Sequence, residues 1–185
     1  MDKSINMTRI VFLAIVAAIG GILFGYDTAV ISGTTEIVKN QFRLTTIAEG
    51  WYVGCALIGS ILGVMTAGMM SDHLGRKKTM LISALMFSVS AIGCAVCDNF
   101  NQLVVFRIIG GFGIGIVSIV SPIYISEIAP AQKRGSLVSL YQLAITIGFL
   151  MAYLINYFVL KGADVTSTST DLWTRIFNSE YWRGM

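Results

Sequence analysis

The hydrophobic residues of this chain lie in long runs that short polar segments interrupt. Read in windows of about 20 apolar residues, the length that crosses a bilayer as a helix, the runs mark successive spans. Five complete spans are predicted, near residues 9–32, 48–70, 79–98, 102–125 and 136–160. A polar segment from Lys161 to Glu180 follows, and the aromatic and basic residues of 181–185 are typical of a membrane interface, where a sixth span is expected to begin.

Composition agrees with an all-α polytopic membrane protein. Hydrophobic residues make up 55% of the chain and charged residues 12%, with a mean hydropathy of +0.75. A soluble domain of 185 residues could bury one such helix, but not five in succession with so little charged surface. The sequence has no evident paired carboxylates at one depth, metal-spaced His or Cys set, or nucleophile–base pair. It therefore predicts no enzyme, no cofactor or metal site and no nucleic-acid partner.

The distribution of Lys and Arg predicts the orientation in the membrane. With the N-terminus inside, seven basic residues fall in inner segments and four in outer ones. The short loops at Asp72–Lys78 and Glu127–Gly135 are basic, whereas the loop at Asp98–Asn101 holds no basic residue. By the positive-inside rule, the N-terminus is predicted to be cytoplasmic.

Many of the nineteen glycines are spaced four residues apart, which places them on one helix face. In lipid, such stripes of small residues let helix backbones approach closely. Packing faces are predicted at four pairs: Gly21 and Gly25, Gly50 and Gly54, Gly59 and Gly63, and Gly111 and Gly115.

Two ionisable residues interrupt the apolar spans. Asp27 lies within the run from Ile10 to Ile31, and Arg107 lies within the run from Leu103 to Val120. At a rise of 1.5 Å per residue, Asp27 is roughly 25 Å from the cytoplasmic start of its helix, and Arg107 is roughly 8 Å from the outer start of its own. Both therefore fall in the outer third of a ~30 Å core. Opposite charges at matched depth can meet and offset each other's desolvation cost.

Ionisable groups inside a bilayer are costly and mark functional sites by default. A helix movement that changes the separation of Asp27 and Arg107 would change the proton affinity of the carboxylate, as proton coupling requires. Proton loading at Asp27 is therefore the mechanistic hypothesis. A purely structural ion pair is the alternative.

The short loops carry a second set of charges. Asp72 and Arg76 lie between the second and third spans, and Glu127 and Arg134 follow the fourth. Acidic groups at inner helix ends add nothing to topology, so the two carboxylates are expected to pair with Arg76 or Arg134, or to meet helix ends in another bundle. Such bonds could lock one conformational state and release another, which would make the four residues a cytoplasmic gating network.

Four motifs together resemble the sugar porters of the major facilitator superfamily, and most closely their bacterial xylose-transporting members. These motifs are the stretch Gly20–Gly33, the loop Asp72–Lys77, the segment Arg107–Gly111 and the segment Pro122–Gly135. They occur in the family's order and at the corresponding helix ends, and the resemblance covers nearly the whole chain. It implies the N-terminal six-helix bundle of the major facilitator fold, truncated at the start of helix six.

The resemblance also implies roles for particular residues. In the family, the position of Asp27 takes the proton and pairs with that of Arg107, whereas related uniporters carry a neutral residue there, so Asp27 favours symport. Gln142 matches a glutamine that hydrogen-bonds the sugar, and Phe24 and Ile145 match apolar neighbours of the sugar. Taken without the resemblance, Gln142 is equally well interpreted as a hydrogen-bonding residue between helices.

Two positions depart from the family pattern: His73 stands where a basic residue is common, and the other departure bears on the substrate. Phe149 stands where xylose-transporting members carry a second sugar-binding glutamine, so a donor and an acceptor are lost. The implied substrate is a pentose or hexose, D-xylose-like, carried together with protons.

These transporters have twelve helices in two six-helix halves, and the passage lies between the halves. On this basis, residues 1–185 form the N-terminal transmembrane half-domain of a proton-coupled sugar symporter that works by alternating access in a bacterial inner membrane. The C-terminal half is absent, and the chain alone is not expected to transport. A sugar uniporter or a non-transporting sugar sensor on the same scaffold is the alternative.

Overall fold

A computed structural model of the chain describes residues 7–97 and 99–165, with side chains described from Ile10 to Phe158. Five long α-helices follow one another with short connections. They are α1 (Met7–Phe42), α2 (Thr46–Leu74), α3 (Arg76–Val96), α4 (Phe100–Ile128) and α5 (Arg134–Val165). All five are long and apolar enough to cross a membrane, so each of the five predicted spans corresponds to one helix. The sixth span expected near residue 181 lies outside the described residues.

The first helix is longer than predicted. It continues past residue 32 to Phe42, because its polar residues are satisfied within the helix: Thr35 Oγ1 donates to the carbonyl of Ile31 at 2.6 Å. This extension also buries Val38 completely, in a cluster with Tyr52 and Leu103. Hydropathy averaged over consecutive residues misses such a segment, because only the buried face of the helix is apolar.

The helix ends meet in two groups at opposite ends of the bundle. Gly75 alone separates α2 from α3, with a positive φ of 82° that glycine adopts without strain. Its end of the bundle also holds the connection from α4 to α5, and we call it the basic end because Arg76, Lys77 and Arg134 lie there. At the opposite end, the rings of Phe42 and Phe100 are 6.3 Å apart.

Helix α4 lies at the centre of the bundle. In its most apolar window 56% of the residues are buried, against 22–28% in the other four helices. Buried serines of α3 bind its backbone: Ser83 Oγ donates to the carbonyl of Gly113 at 2.8 Å, and Ser90 Oγ donates to that of Phe106 at 2.6 Å. Residues on α4 can therefore contact α1, α2 and α3.

Glycines bring two helix pairs together at backbone distance. A Cβ on Gly59 of α2 would meet the carbonyl oxygen of Ile108 on α4, and a Cβ on Gly25 of α1 would meet that of Ile145 on α5. The predicted packing is thus confirmed for three glycine pairs: Gly21 and Gly25, Gly59 and Gly63, and Gly111 and Gly115. It was wrong for Gly50 and Gly54, which face no other described element.

Candidate functional site

The charged residues of α1 and α4 meet inside the bundle. Arg107 Nη1 donates to Oδ1 of Asp27 at 3.2 Å, and the two side chains are 11% and 21% exposed. The depth count predicted this contact. The contact uses a single donor and is longer than the roughly 2.7–2.9 Å of a strong charge-assisted bond. The Nε of Arg107 is buried without a hydrogen-bond partner among the described residues, so the guanidinium is not fully committed to Asp27.

An aromatic residue of α2 completes this site, and the sequence interpretation missed it. The guanidinium carbon of Arg107 lies 5.4 Å from the ring centroid of Tyr52, within the range of a cation–π interaction. The Tyr52 hydroxyl is 3.1 Å from Oγ1 of Thr34 on α1, and both residues are buried. Its depth agrees with that of Arg107, since Tyr52 is about 9 Å into α2 and Arg107 is about 10 Å into α4, but depth alone does not single it out.

A branched contact joins three helices at the basic end. From the start of α3, Arg76 Nη1 donates to Asp72 Oδ1 at 2.7 Å and to Ser71 Oγ at 2.9 Å on α2. Its Nε and Nη2 both donate to Oε1 of Glu127 on α4, at 3.2 and 3.1 Å. Of the two arginines that the sequence offered as partners for Asp72 and Glu127, the structure therefore selects Arg76.

Arg134 lies outside this contact. It begins α5, is exposed and forms no salt bridge with a described residue. The predicted gating network thus comes together as three residues on α2, α3 and α4, without the fourth. Sequence could not decide between the two arginines, because the choice depends on how far each helix is rotated about its axis.

The four sugar-binding candidates lie on α1 and α5. Gln142 is exposed, and its side chain makes no hydrogen bond with the described residues, so the structure gives no support to a helix-bridging role. Ile145 is only 9% exposed and packs in an apolar cluster, where the partly buried rings of Phe24 and Phe149 lie against it. Gln142 is therefore the one polar group of the four that is open to a ligand.

An apolar groove of about 490 Å³ runs between α1, α3 and α4, away from the sugar-binding candidates. Its walls include Val16 and Leu23 on α1, Phe87 on α3 and Val117 on α4. Lys77 and Tyr124 are its polar members near the basic end. The lining suits an apolar occupant rather than a sugar, which needs many hydrogen bonds.

These features define a multi-spanning membrane protein with an ion pair buried among its helices. Comparison with known families then assigns it: residues 13–183 match the family described as "Sugar (and other) transporter", and the chain belongs to that family. This family consists of transporters and not enzymes, in agreement with the sequence interpretation.

Individual relatives carry different sugars. The chain is 38% identical to the D-xylose-proton symporter of Escherichia coli (strain K12) over 97% of its own length and 42% of that protein. It is also 38% identical to the glucose transport protein of Synechocystis sp. over 100% of its length and 38% of that protein. Overall identity therefore does not separate a pentose from a hexose carrier.

The helices also match a solved structure. The proton:xylose symporter XylE of the major facilitator superfamily, bound to 6-bromo-6-deoxy-D-glucose, superposes with a TM-score of 0.83 and 36% identity over 96% of this chain and 41% of that one. The five helices thus form part of the major facilitator fold. The chain spans about two fifths of the length of the relatives it matches.

Proposed function

We propose that this chain forms the N-terminal half of a proton-coupled sugar symporter that works by alternating access. The observation that carries the proposal is the buried contact between Asp27 and Arg107 on different helices. A carboxylate that faces a single cation in an apolar interior can exchange that partner for a proton, and the exchange changes what holds α1 to α4.

The proton acts through this contact. With Asp27 ionised, its charge and that of Arg107 offset each other's desolvation and hold α1 against α4. A proton on Oδ1 or Oδ2 removes the negative charge and weakens the link. Two bundle conformations that differ in the separation of these helices would then differ in proton affinity, which is the thermodynamic requirement for coupling.

The sugar is proposed to bind the open face of α5. Gln142 offers one amide donor pair and one acceptor, and Phe24 and Phe149 supply apolar surface nearby. Phe149 adds no hydrogen bond, so this half offers a sugar less polar recognition than two glutamines would. We therefore propose a pentose or hexose, with a D-xylose-like sugar as the first candidate.

The basic end is proposed to act as a releasable lock at the cytoplasmic side, the side on which the N-terminus also lies. Arg76 bridges Asp72 and Glu127, and all three are partly open to solvent. Contacts of this kind are individually weak and break readily, which suits an element that must open in every cycle.

A sixth helix and a second half complete the proposed transporter. The packing of α2 on α4 is repeated by that of α5 on α1, as expected for an inverted repeat of three helices. In such a repeat a sixth helix covers α1 as α3 covers α4. The face of α1 that would receive it carries exposed Phe12, Ile15 and Ile19 and borders the apolar groove.

The test is uptake by proteoliposomes that contain the full-length protein, with an imposed pH gradient and a panel of pentoses and hexoses. Asp27→Asn is expected to abolish accumulation against a gradient and to retain sugar counterflow, since exchange of loaded carriers needs no proton release. Glu36→Gln, which removes an exposed carboxylate from the same helix, is the matched control and should accumulate normally.

Three results would contradict the proposal. Accumulation by Asp27→Asn would remove Asp27 from coupling. Flux of the unmodified protein that ignores the pH gradient would indicate a uniporter, and sugar binding without flux would indicate a sensor.

A further inference from the structure

Four residues on three helices form a closed circuit around the ion pair. Asp27 on α1 contacts Arg107 on α4, Arg107 lies over the ring of Tyr52 on α2, and the Tyr52 hydroxyl returns to Thr34 on α1. Thr34 follows Asp27 by seven residues, about two helical turns, so both lie on one side of α1. Tyr52 and Thr34 are only 3% and 6% exposed.

The ring matters most when Asp27 is neutral. A guanidinium that loses its only counter-charge in an apolar interior is left with an uncompensated desolvation cost. The face of an aromatic ring is then the remaining described group that can stabilise it, and a desolvated cation–π contact is a strong one of its kind.

We propose that Tyr52 is a positioning residue of the Asp27–Arg107 pair: its ring face holds the guanidinium in place while Asp27 carries a proton, and its hydroxyl anchors the ring to Thr34. This inference rests on the proposed role of Asp27 in proton coupling. It adds α2 to the elements that take part in the proton cycle.

The other titratable groups around the pair do not replace the ring. Cys55 on α2 and Cys94 on α3 are near enough to Arg107 to interact with it electrostatically, and Tyr26 precedes Asp27 on α1. Thiols and phenols are ordinarily neutral near pH 7. Asp27 is therefore the one group among these four that is ordinarily ionised near pH 7 and can present a full negative charge to Arg107.

Removing the ring should make protonation of Asp27 less favourable, because the released cation then has a poorer environment. For Tyr52→Leu in the full-length protein, the pH profile of sugar-driven proton uptake is expected to move toward acid by up to about one unit, because the shift reports only the part of the cation–π interaction that is gained when Asp27 is protonated. Tyr52→Phe keeps the ring and loses only its hydroxyl contact with Thr34, and Thr34→Val removes the same contact from the other side. Both variants should therefore move the profile much less than Tyr52→Leu.

A series of fluorinated phenylalanines at position 52 tests the ring without changing its shape. Successive fluorines withdraw density from the ring face, so the profile should move stepwise toward acid from that of Tyr52→Phe. Because these variants keep the packing of the core, they also answer the question if Tyr52→Leu fails to fold. Sugar counterflow, measured in parallel, reports that each variant is inserted and cycles.

Two outcomes would overturn the inference: a profile of Tyr52→Leu or of the fluorinated series that superposes on the original, or an equal shift in Tyr52→Phe, which would assign the effect to the hydroxyl. Both are distinguishable from failure of the proposed function. If only the role of Tyr52 fails, Asp27→Asn still abolishes accumulation. If Asp27→Asn accumulates sugar, both proposals lose their basis.

Discussion

Arg76 at the start of α3 holds Glu127 near the end of α4 through two donors, Nε and Nη2, on a single carboxylate oxygen. The contact joins the ends of helices from different parts of the chain and leaves Nη1 free to bind α2. One arginine thus links three helix ends at the basic end.

Arg76→Gln in the full-length protein is expected to loosen this end, because a neutral amide cannot bridge two carboxylates. A cysteine at the part-buried position Ser126, next to Glu127, should then react faster with a membrane-impermeant maleimide. Lys133→Gln removes a charge from the same end without breaking a described salt bridge, and should leave the labelling rate unchanged. Equal rates in all three proteins would rule out a locking role for Arg76.

The glycines of α2 should respond differently to a methyl group. Gly59→Ala places a Cβ against the carbonyl oxygen of Ile108 and is expected to destabilise the bundle by about 1–3 kcal/mol. Gly54→Ala meets no described atom, and the better helix propensity of alanine should leave stability equal or slightly higher. Thermal unfolding in detergent measures both, and equal melting temperatures would contradict the predicted close approach of α2 and α4.

Ser90 and Ser88 on α3 form a second matched pair. Ser90 Oγ donates to a carbonyl of α4, whereas Ser88 Oγ donates within its own helix to Ala84 and is exposed. Ser90→Ala is therefore expected to cost about 0.6 kcal/mol, the typical value of a hydrogen bond between membrane helices, and Ser88→Ala close to nothing. The comparison uses the same unfolding assay, and an equal loss in both variants would argue against the α3–α4 bond.

Substitutions at Gln142 and Phe149 should distinguish effects on sugar affinity from effects on core packing. Gln142→Leu is expected to raise the KM for sugar about tenfold, the loss of one or two hydrogen bonds, with unchanged stability because the side chain is exposed. Phe149→Gln should improve D-xylose uptake relative to glucose, at some cost in stability, since the ring is partly buried against the core. Unchanged kinetics in both variants would move the sugar site away from α5.

The exposed face of α1 tests the proposed sixth helix. A spin label at Ile19 in the full-length protein is expected to be shielded from lipid-dissolved oxygen, whereas a label at Val89 on the outer face of α3 should be accessible. Similar oxygen accessibility at the two positions would leave the groove facing lipid.

Hydropathy predicted the five helices because a segment that buries its backbone in lipid has to be helical, and each such segment is a long apolar run in the sequence. Depth along a helix was also predictable, since the rise per residue is fixed, and it brought Asp27 and Arg107 together correctly. Rotation about the helix axis was not predictable from the sequence. This rotation determines that Arg76 and not Arg134 binds the acidic pair, and that Gly54 faces no described neighbour. It also determines that Ile145 is buried while Gln142 is open.

Tyr52 shows a further limit of the same kind. In an apolar run a tyrosine reads as one more hydrophobic residue, and only the fold reveals that its ring faces a cation and its hydroxyl a threonine. Long-range partners of this type depend on which helices pack against each other, and the order of the spans along the chain does not determine this packing.

The single glycine between α2 and α3 has a consequence for how the protein is made. Because α3 begins one residue after α2 ends, and only a short polar loop, Asp72–Lys78, separates their apolar runs, we expect the two helices to enter the membrane as one hairpin. Lengthening this turn with a flexible insert should allow α2 to integrate by itself, which glycosylation tags on either side of α3 would report during synthesis. If the insert does not change the order of integration, the two spans already insert one at a time.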